Sequence, residues 1–321
     1  MTNNTQAPQK QSHQLNVPHQ LYIVAKQASI YHDFLQQQTL PNIVLTQDKS
    51  QATIVLADPP QMATQLDQFP NLTWLQSTYA GVDALIEKNL RCDYQLTNVK
   101  GIFGQLISEY VLGYSLSYFR HFALYQQQQQ AKQWQIHPYQ SVKDKTMVIL
   151  GTGSIGHQLA KAVSALGFIA VGVNRSGQAP TQNAFHHIYP IAQLDRALAQ
   201  ADVIVNALPN TPQTDKLLSY SAFEHCRGAL LFNIGRGHTV DDDALLSALE
   251  SGQITHAFLD VFRHEPIRND SPFWHHPNIT VTPHIAATSF PEQVWEIFTE
   301  NYHLFNNQQP LKNKVDFTRG Y

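Results

Sequence analysis

The sequence predicts an α/β fold on parallel sheets, and three observations carry that expectation. Short apolar runs alternate with helical stretches along the chain. The alternation comes in two series, separated by a long helical segment. At 321 residues, the chain has the length of about two domains of ~100–200 residues each.

The first series occupies residues 20–100, with strands expected over 21–25, 43–46, 53–57 and 72–76, and a fifth over 94–98. From residue 107 to about 133 there is no Pro and one Gly, Gly113, so this stretch reads as one long helix. Its Gln run, 126–130, reads as an exposed helical face rather than a linker, because Gln is a good helix former. The second series has strands expected over 146–150, 169–173, 203–207, 230–233, 256–260 and 279–282. Helices are expected over 155–166, 193–200, 242–251 and 291–306. No internal repeat of 20–50 residues is visible.

Composition excludes several classes. Charged residues make up 14%, against about 25% in an ordinary soluble protein. Gln fills the gap, at 35 residues. A net charge of −3 argues against a nucleic-acid surface, which needs a concentrated basic face. Hydrophobic content of 43% excludes a wholly disordered chain. Residues 1–19 are polar, rich in Gln and Asn, and interrupted by Pro8 and Pro18; they are expected to be disordered and lack the pattern of a secretory signal. No run of about 18 apolar residues exists; the best, 146–165, is broken by glycines, His157 and Lys161. Cys92 and Cys226 have no metal-binding spacing and read as two buried, reduced thiols. A soluble cytoplasmic protein is expected, with no membrane or nucleic-acid partner.

The run Thr146-Met-Val-Ile-Leu150 followed by Gly151-Thr-Gly-Ser-Ile-Gly156 is an apolar strand, a Gly-x-Gly-x-x-Gly turn and a helix start. Alone the glycine pattern is weak; in this context it predicts dinucleotide binding. Gly151 permits the turn, Gly153 lets backbone approach a pyrophosphate, and Gly156 allows close helix–strand packing. The phosphates would sit at the helix N-terminus, where unpaired amides and the helix dipole favour anions. After the second strand, an acidic residue would bind a ribose 2′-hydroxyl and repel a 2′-phosphate. Here Asn174, Arg175 and Ser176 stand instead. A guanidinium and a hydroxyl suit phosphate, so NADP(H) is preferred, although an Arg beside the adenine also serves NAD(H).

Three further segments place polar residues at or just beyond expected strand ends. Phe232-Asn-Ile-Gly-Arg236 supplies a cation, Asp260 to Glu265 two carboxylates, and Thr282-Pro-His284 an imidazole. In an open parallel sheet ligands bind beyond the carboxyl ends of strands, so all three can face one cleft. Behind a dinucleotide loop they are the groups that 2-keto acid reduction needs: a cation for the carboxylate, a proton donor, and a carboxylate raising the donor's pKa.

These segments, with Ser77-Thr-Tyr-Ala-Gly-Val-Asp83, Thr97-Asn-Val-Lys-Gly-Ile-Phe-Gly, Ser108-Glu-Tyr-Val-Leu-Gly and Ala207-Leu-Pro-Asn-Thr-Pro-Gln-Thr214, resemble the D-isomer-specific 2-hydroxyacid dehydrogenases. The resemblance runs from about Leu72 to Val294 and is strongest to the glyoxylate/hydroxypyruvate reductase branch. It implies a Rossmann dinucleotide-binding domain, 105–291, inserted into a discontinuous flavodoxin-like substrate domain, 1–104 and 292–321. It further implies that His284 is the acid/base, Glu265 its paired carboxylate and Arg236 the clamp on the substrate carboxylate. Tyr79 and the backbone amides of Ala80, Gly81 and Val82 would bind substrate from the other domain, so that domain closure assembles the site. Ser154, Ile155, Leu208, Pro209, Ile234, Gly235, Asp260, His284 and Ala286 would complete the cofactor site. The implied reaction is reduction of a small 2-keto acid to the D-2-hydroxy acid by a homodimer.

Two alternatives stand beside this reading. Some relatives are transcriptional corepressors that bind nicotinamide cofactors and turn over little; an intact Arg236, Glu265 and His284 favours an enzyme. A 3-phosphoglycerate-type dehydrogenase would need more basic residues for the substrate phosphate, and the chain has no room for the regulatory domain many of those carry. His186 with His187, and His275 with His276, have no third ligand at useful spacing, so no metal is expected. Trp134 reads as a packing or dimer-contact residue rather than a substrate wall.

Overall fold

The computed structural model describes residues 17–180 and 183–319. Of the stretch expected to be disordered, residues 1–16 lie outside those described, and His19 opens the first strand. The chain forms two compact units. One comprises the described residues up to Asn98 together with Val294–Phe317; the other runs over Val99–Gln293 with Thr318 and Arg319.

The first unit contains β1 (His19–Val24), α1 (Ala28–Gln37), β2 (Ile43–Leu45), β3 (Ile54–Ala57), α2 (Pro59–Ala63), β4 (Trp74–Ser77) and β5 (Gln95–Thr97). Its strands pair in parallel in the order β2-β1-β3-β4-β5, the order of a flavodoxin-like sheet. Val55, Ala57, Leu75 and Leu96 pack with Met62, Leu66, Phe69 and Leu85 into one buried cluster. On this unit's aromatic side Trp74 stacks on Phe298, with ring centroids 5.3 Å apart. Trp74 Nε1 donates to Thr97 Oγ1 at 2.8 Å, so its one polar atom is paired where it is buried.

The second unit opens with α3 (Phe103–Phe119) and α4 (Phe122–Gln130) and continues through β6 (Thr146–Leu150), α5 (Ser154–Ala165), β7 (Ile169–Asn174) and β8 (His187–Pro190). Then come α6 (Leu194–Leu198), β9 (Val203–Asn206), α7 (Tyr220–Phe223), β10 (Ala229–Asn233), α8 (Asp242–Glu250), β11 (Ile254–Leu259) and β12 (Ile279–Val281). The final helix, α9 (Pro291–Asn306), carries the chain back to the first unit. All seven strands pair in parallel in the order β12-β11-β10-β9-β6-β7-β8. This is the Rossmann arrangement. The chain reverses its direction of travel across the sheet between β6 and β9, so a crevice opens beyond the carboxyl ends of those two strands. The strands read as continuous apolar runs because helices cover both faces; every residue of β9 and β10 is buried.

Several expectations are corrected. The single helix over 107–133 is two helices, broken at Arg120 and His121. His121 takes a left-handed φ of 56°, and its Nε2 lies 2.8 Å from the Pro138 carbonyl. In α4, Tyr125 accepts from the His137 amide, and Gln128 Nε2 lies 2.6 Å from His137 Nε2. Packing against residues 137–138 therefore overrides local helix propensity, and Gln128 is buried while the rest of the Gln run is exposed. β8 was not foreseen: it is a four-residue edge strand whose first residue is an exposed His. Cys226 is buried, with its thiol pushed up to about 12 by desolvation, but Cys92 is exposed; both are free. Trp134 is 99% exposed, so it does not pack within the chain. Among the described residues no helix is long and apolar enough to cross a membrane, and no three His, Cys, Asp or Glu side chains form a metal-holding group.

The glycine loop yields the first test. A Cβ at Gly156 would lie 1.9 Å from the Gly151 carbonyl oxygen, a backbone atom that no rotamer change can move aside. Gly156→Ala is expected to lower the urea midpoint, with a stability loss at the upper end of the ~1–3 kcal/mol typical of overpacking. A midpoint equal to wild type would show that α5 is not held against β6 as described.

Candidate active site

The glycine loop is built as an anion cradle. Gly151 takes a φ of 106° at the end of β6, a conformation that favours glycine. Its amide donates to the Val173 carbonyl at 2.9 Å, tying the turn to β7. α5 begins at Ser154 with no capping side chain and no acidic residue in its first turn. Among the described residues the amides of Ser154, Ile155 and Gly156 have no acceptor, while a Cβ on Gly153 would meet open space. Unpaired helix-start amides beside an open glycine fit a pyrophosphate.

Asn174, at the end of β7, is hydrogen-bonded within its own turn and to the glycine loop. Its Nδ2 donates to Thr152 Oγ1 at 2.9 Å and to the Gln178 carbonyl at 2.8 Å. Its Oδ1 accepts from the amides of Ser176 at 3.1 Å and Gly177 at 2.7 Å. The carboxamide is thereby spent on clipping the turn to the glycine loop. Arg175 and Ser176 stand exposed on that turn.

Arg236, Glu265 and His284 follow three neighbouring strands, β10, β11 and β12, and leave the sheet on the same side. His284 Nδ1 lies 2.8 Å from Glu265 Oε2. The other Glu265 oxygen, Oε1, accepts from the Phe262 amide at 2.9 Å, so the carboxylate cannot swing away. Gly237 brings Arg236 into the group: a Cβ there would lie 2.0 Å from the Phe262 carbonyl carbon, so the turn after Arg236 lies directly on the Glu265 loop. Gly235 packs as closely on Leu208, where a Cβ would lie 2.7 Å from the Leu208 oxygen. Ile234 and Ala286 are buried at their strand exits.

Asp260 is 1% exposed and accepts three hydrogen bonds. They come from Thr282 Oγ1 at 2.7 Å, the Ile285 amide at 2.8 Å and the Ala286 amide at 2.9 Å. The Asp260 carbonyl also accepts from the His284 amide at 3.0 Å. Between these anchors His284 is held at a φ of 54°, in the left-handed region. The resemblance placed Asp260 at the cofactor; the structure also shows it fixing the His284 loop.

Sequence reasoning missed the buried polar residues beneath the site. Asn206 and Asn233 close β9 and β10, and Asn206 Nδ2 donates to Asn233 Oδ1 at 2.8 Å and also bonds Thr239 Oγ1. Thr239 Oγ1 donates to the Arg236 carbonyl at 2.7 Å, holding that backbone in place. The available signal was an Asn as the last residue of each of two otherwise apolar strands.

In the first unit, the loop after β4 is pinned by Ser77 Oγ, which accepts from the Tyr79 amide at 2.9 Å. Asn98 Nδ2 donates to the Ala80 carbonyl at 2.7 Å. Among the described residues the amides of Ala80, Gly81 and Val82 find no acceptor.

The hydrogen bond to Glu265 raises the His284 pKa above its ordinary 6.5, against the opposing effect of burial, with the Glu265 and Asp260 charges adding to it and Arg236 acting against it. Burial pushes Glu265 up, but the His284 hydrogen bond, the Phe262 amide and the nearby positive charges outweigh it and leave its pKa below 4.5. Both groups are therefore charged between those values. The stability that the raised imidazole contributes is present below pH 6.5 and lost as pH rises through its folded pKa. The carboxylate's contribution is lost as pH falls through its own. An NMR titration should place the His284 transition above 6.5, and Glu265→Gln should move it down. A transition unmoved by Glu265→Gln would remove Glu265 as the cause.

Comparison with known proteins points to one family. The family model described as the D-isomer specific 2-hydroxyacid dehydrogenase NAD binding domain matches residues 112–286, more than half of the chain. Glyoxylate/hydroxypyruvate reductase A of Serratia proteamaculans is 37% identical over 75% of this chain and 79% of its own length. A crystal structure of a D-isomer specific 2-hydroxyacid dehydrogenase family protein from Aeromonas salmonicida superposes with a TM-score of 0.88 at 44% identity, covering 93% of this chain and 99% of its own. That of the NADPH-dependent glyoxylate/hydroxypyruvate reductase from Sinorhizobium meliloti, in complex with NADP and sulfate, has a TM-score of 0.84 at 25% identity, covering 94% and 100%. Glycine cradle, paired imidazole and matching relatives lead to one conclusion: the chain belongs to the D-isomer specific 2-hydroxyacid dehydrogenases, NAD(P)-dependent oxidoreductases.

Proposed function

We propose that the protein uses NADPH to reduce a small 2-keto acid of the glyoxylate or hydroxypyruvate type to the D-2-hydroxy acid. The observation that carries this reading is the 2.8 Å pair of His284 Nδ1 and Glu265, with Arg236 on the adjoining turn. The reductase names of the Serratia and Sinorhizobium relatives, and the NADP bound by the latter, support the substrate class and the cofactor.

Gly151, Gly153, Ser154, Ile155 and Gly156 would hold the pyrophosphate, and Arg175 with Ser176 the 2′-phosphate, on the turn that Asn174 shapes. Leu208, Pro209, Ile234, Gly235 and Ala286 would line the remaining length, with Asp260 at the nicotinamide end. When bound, the reduced nicotinamide supplies the hydride that goes to the keto carbon. Because Nδ1 is committed to Glu265, Nε2 is the nitrogen free to donate a proton to the keto oxygen. Glu265 favours the protonated imidazole, and the neutral ring left after transfer regains its proton from solvent. Arg236 pairs with the substrate carboxylate through a planar fork that Lys cannot reproduce. The five-stranded unit is the substrate domain in this reading, and the acceptor-free amides of Ala80, Gly81 and Val82 suit a carboxylate.

NADPH consumption should follow addition of glyoxylate or hydroxypyruvate and be faster than NADH consumption, declining as pH rises through the His284 pKa. His284→Gln should lower kcat by about 10²–10⁴-fold. Arg236→Lys should act mainly on KM. No turnover with either acid, or full turnover without the imidazole, would overturn the reading.

The reading includes a homodimer. Phe122, Trp134, Ile136 and Tyr139 are exposed on α4 and the segment after it, an apolar concentration on a charge-poor chain. Sedimentation velocity should show a dimer that Trp134→Ser with Ile136→Ser converts to monomer. A monomeric wild type would overturn this.

A further inference from the structure

Helix α3 reaches the acid–base loop through one hydroxyl. Tyr110 Oη lies 2.8 Å from Thr282 Oγ1, which in turn lies 2.7 Å from Asp260 Oδ1. The direction of donation follows from counting protons. The Asp260 carboxylate only accepts, so the single Thr282 proton is directed to it. The remaining short contact on Thr282 Oγ1 must be filled by a donor, and that donor is Tyr110. Burial, opposed by the Thr282 bond and helped by the Asp260 and Tyr114 charges, raises the Tyr110 pKa, which keeps the phenol a donor at any working pH. Its ring is fixed edge-on by Tyr114, 4.9 Å away, and by Phe232 of β10, 6.4 Å away.

Resting on the acid–base reading of His284, we propose that Tyr110 and Thr282 are positioning residues for that imidazole. By occupying the Thr282 acceptor site, Tyr110 fixes the threonine proton on Asp260. Asp260 then keeps all three donors, and the two amides it binds follow directly after His284. The left-handed φ of His284 is held by these bonds, since an unconstrained non-glycine residue leaves that region readily. With Thr282 disabled, Asp260 keeps only the Ile285 and Ala286 amides; with Tyr110 disabled, the Thr282 proton is no longer confined to Asp260; in both cases the aim of Nε2 broadens. The cost falls on proton transfer, because general acid catalysis depends on donor alignment.

The test is a double-mutant cycle in kcat for keto-acid reduction, with NADPH affinity by fluorescence and urea stability as parallel readouts. Tyr110→Phe and Thr282→Val should each lower kcat by about 5–10-fold, while NADPH affinity stays within about 2-fold of wild type. Thr282→Ser, which keeps the hydroxyl, should restore kcat to within about 2-fold. Adding Tyr110→Phe to Thr282→Val should cost nothing further, because the phenol acts only through the threonine. Independent, multiplying losses would overturn the proposal, as would equal losses in Thr282→Ser and Thr282→Val, or an effect confined to KM. His284→Gln separates the two levels. If it is inactive while the cycle is additive, only the role of Tyr110 and Thr282 falls. If it is fully active, the acid–base reading falls with it.

Discussion

A buried carboxylate with three hydrogen-bond donors holds the candidate site in shape. Burying a charge costs several kcal/mol unless it is fully hydrogen-bonded, and Asp260 meets that condition through Thr282, Ile285 and Ala286. The constraint works in both directions. Any displacement of the segment carrying His284 would leave an interior charge short of a donor, so the loop has one low-energy position. An imidazole that stands half in solvent is thereby carried on a backbone tied to a buried charge.

The sheet converts chain order into spatial order. Because all seven strands run parallel, every exit lies on one side, and three successive strands at one end of the sheet bring Arg236, Glu265 and His284 together across about fifty residues of sequence. Close backbone packing then sets the final geometry. Gly235 and Gly237 allow the β10 exit to lie on Leu208 and on Phe262, an approach no side chain would permit. The buried pair Asn206 and Asn233 satisfies polar groups where the strands end.

Much of this was legible in the sequence, for physical reasons. Strands buried on both faces are apolar apart from their end residues, so 146–150 and 203–207 announce themselves to within a residue. Glycines at 151, 153 and 156 mark a turn with few alternatives. Edge and tertiary effects were not legible. The break at Arg120 and His121 carries no Gly or Pro, since residues 137–138 impose it from a distance. β8 presents a short, Pro-ended tetrapeptide with too few residues to show a pattern of its own. The tie from Tyr110 to Thr282 joins positions 172 residues apart, and no local pattern can report that contact.

Under the proposed NADPH reading, the clip at Asn174 bears on how a change of nucleotide preference would have to be engineered. A carboxylate at this position could still accept from the Ser176 and Gly177 amides, but it has no proton to offer the Gln178 carbonyl. Two oxygens would face each other where an amide now bridges them. Introducing the negative charge would also release the turn that presents Arg175 and Ser176, and Gly177, whose Cβ would fall 2.8 Å from the Pro190 ring, leaves little room for that turn to resettle. Charge and loop shape at this corner are one variable, and redesign has to move them together.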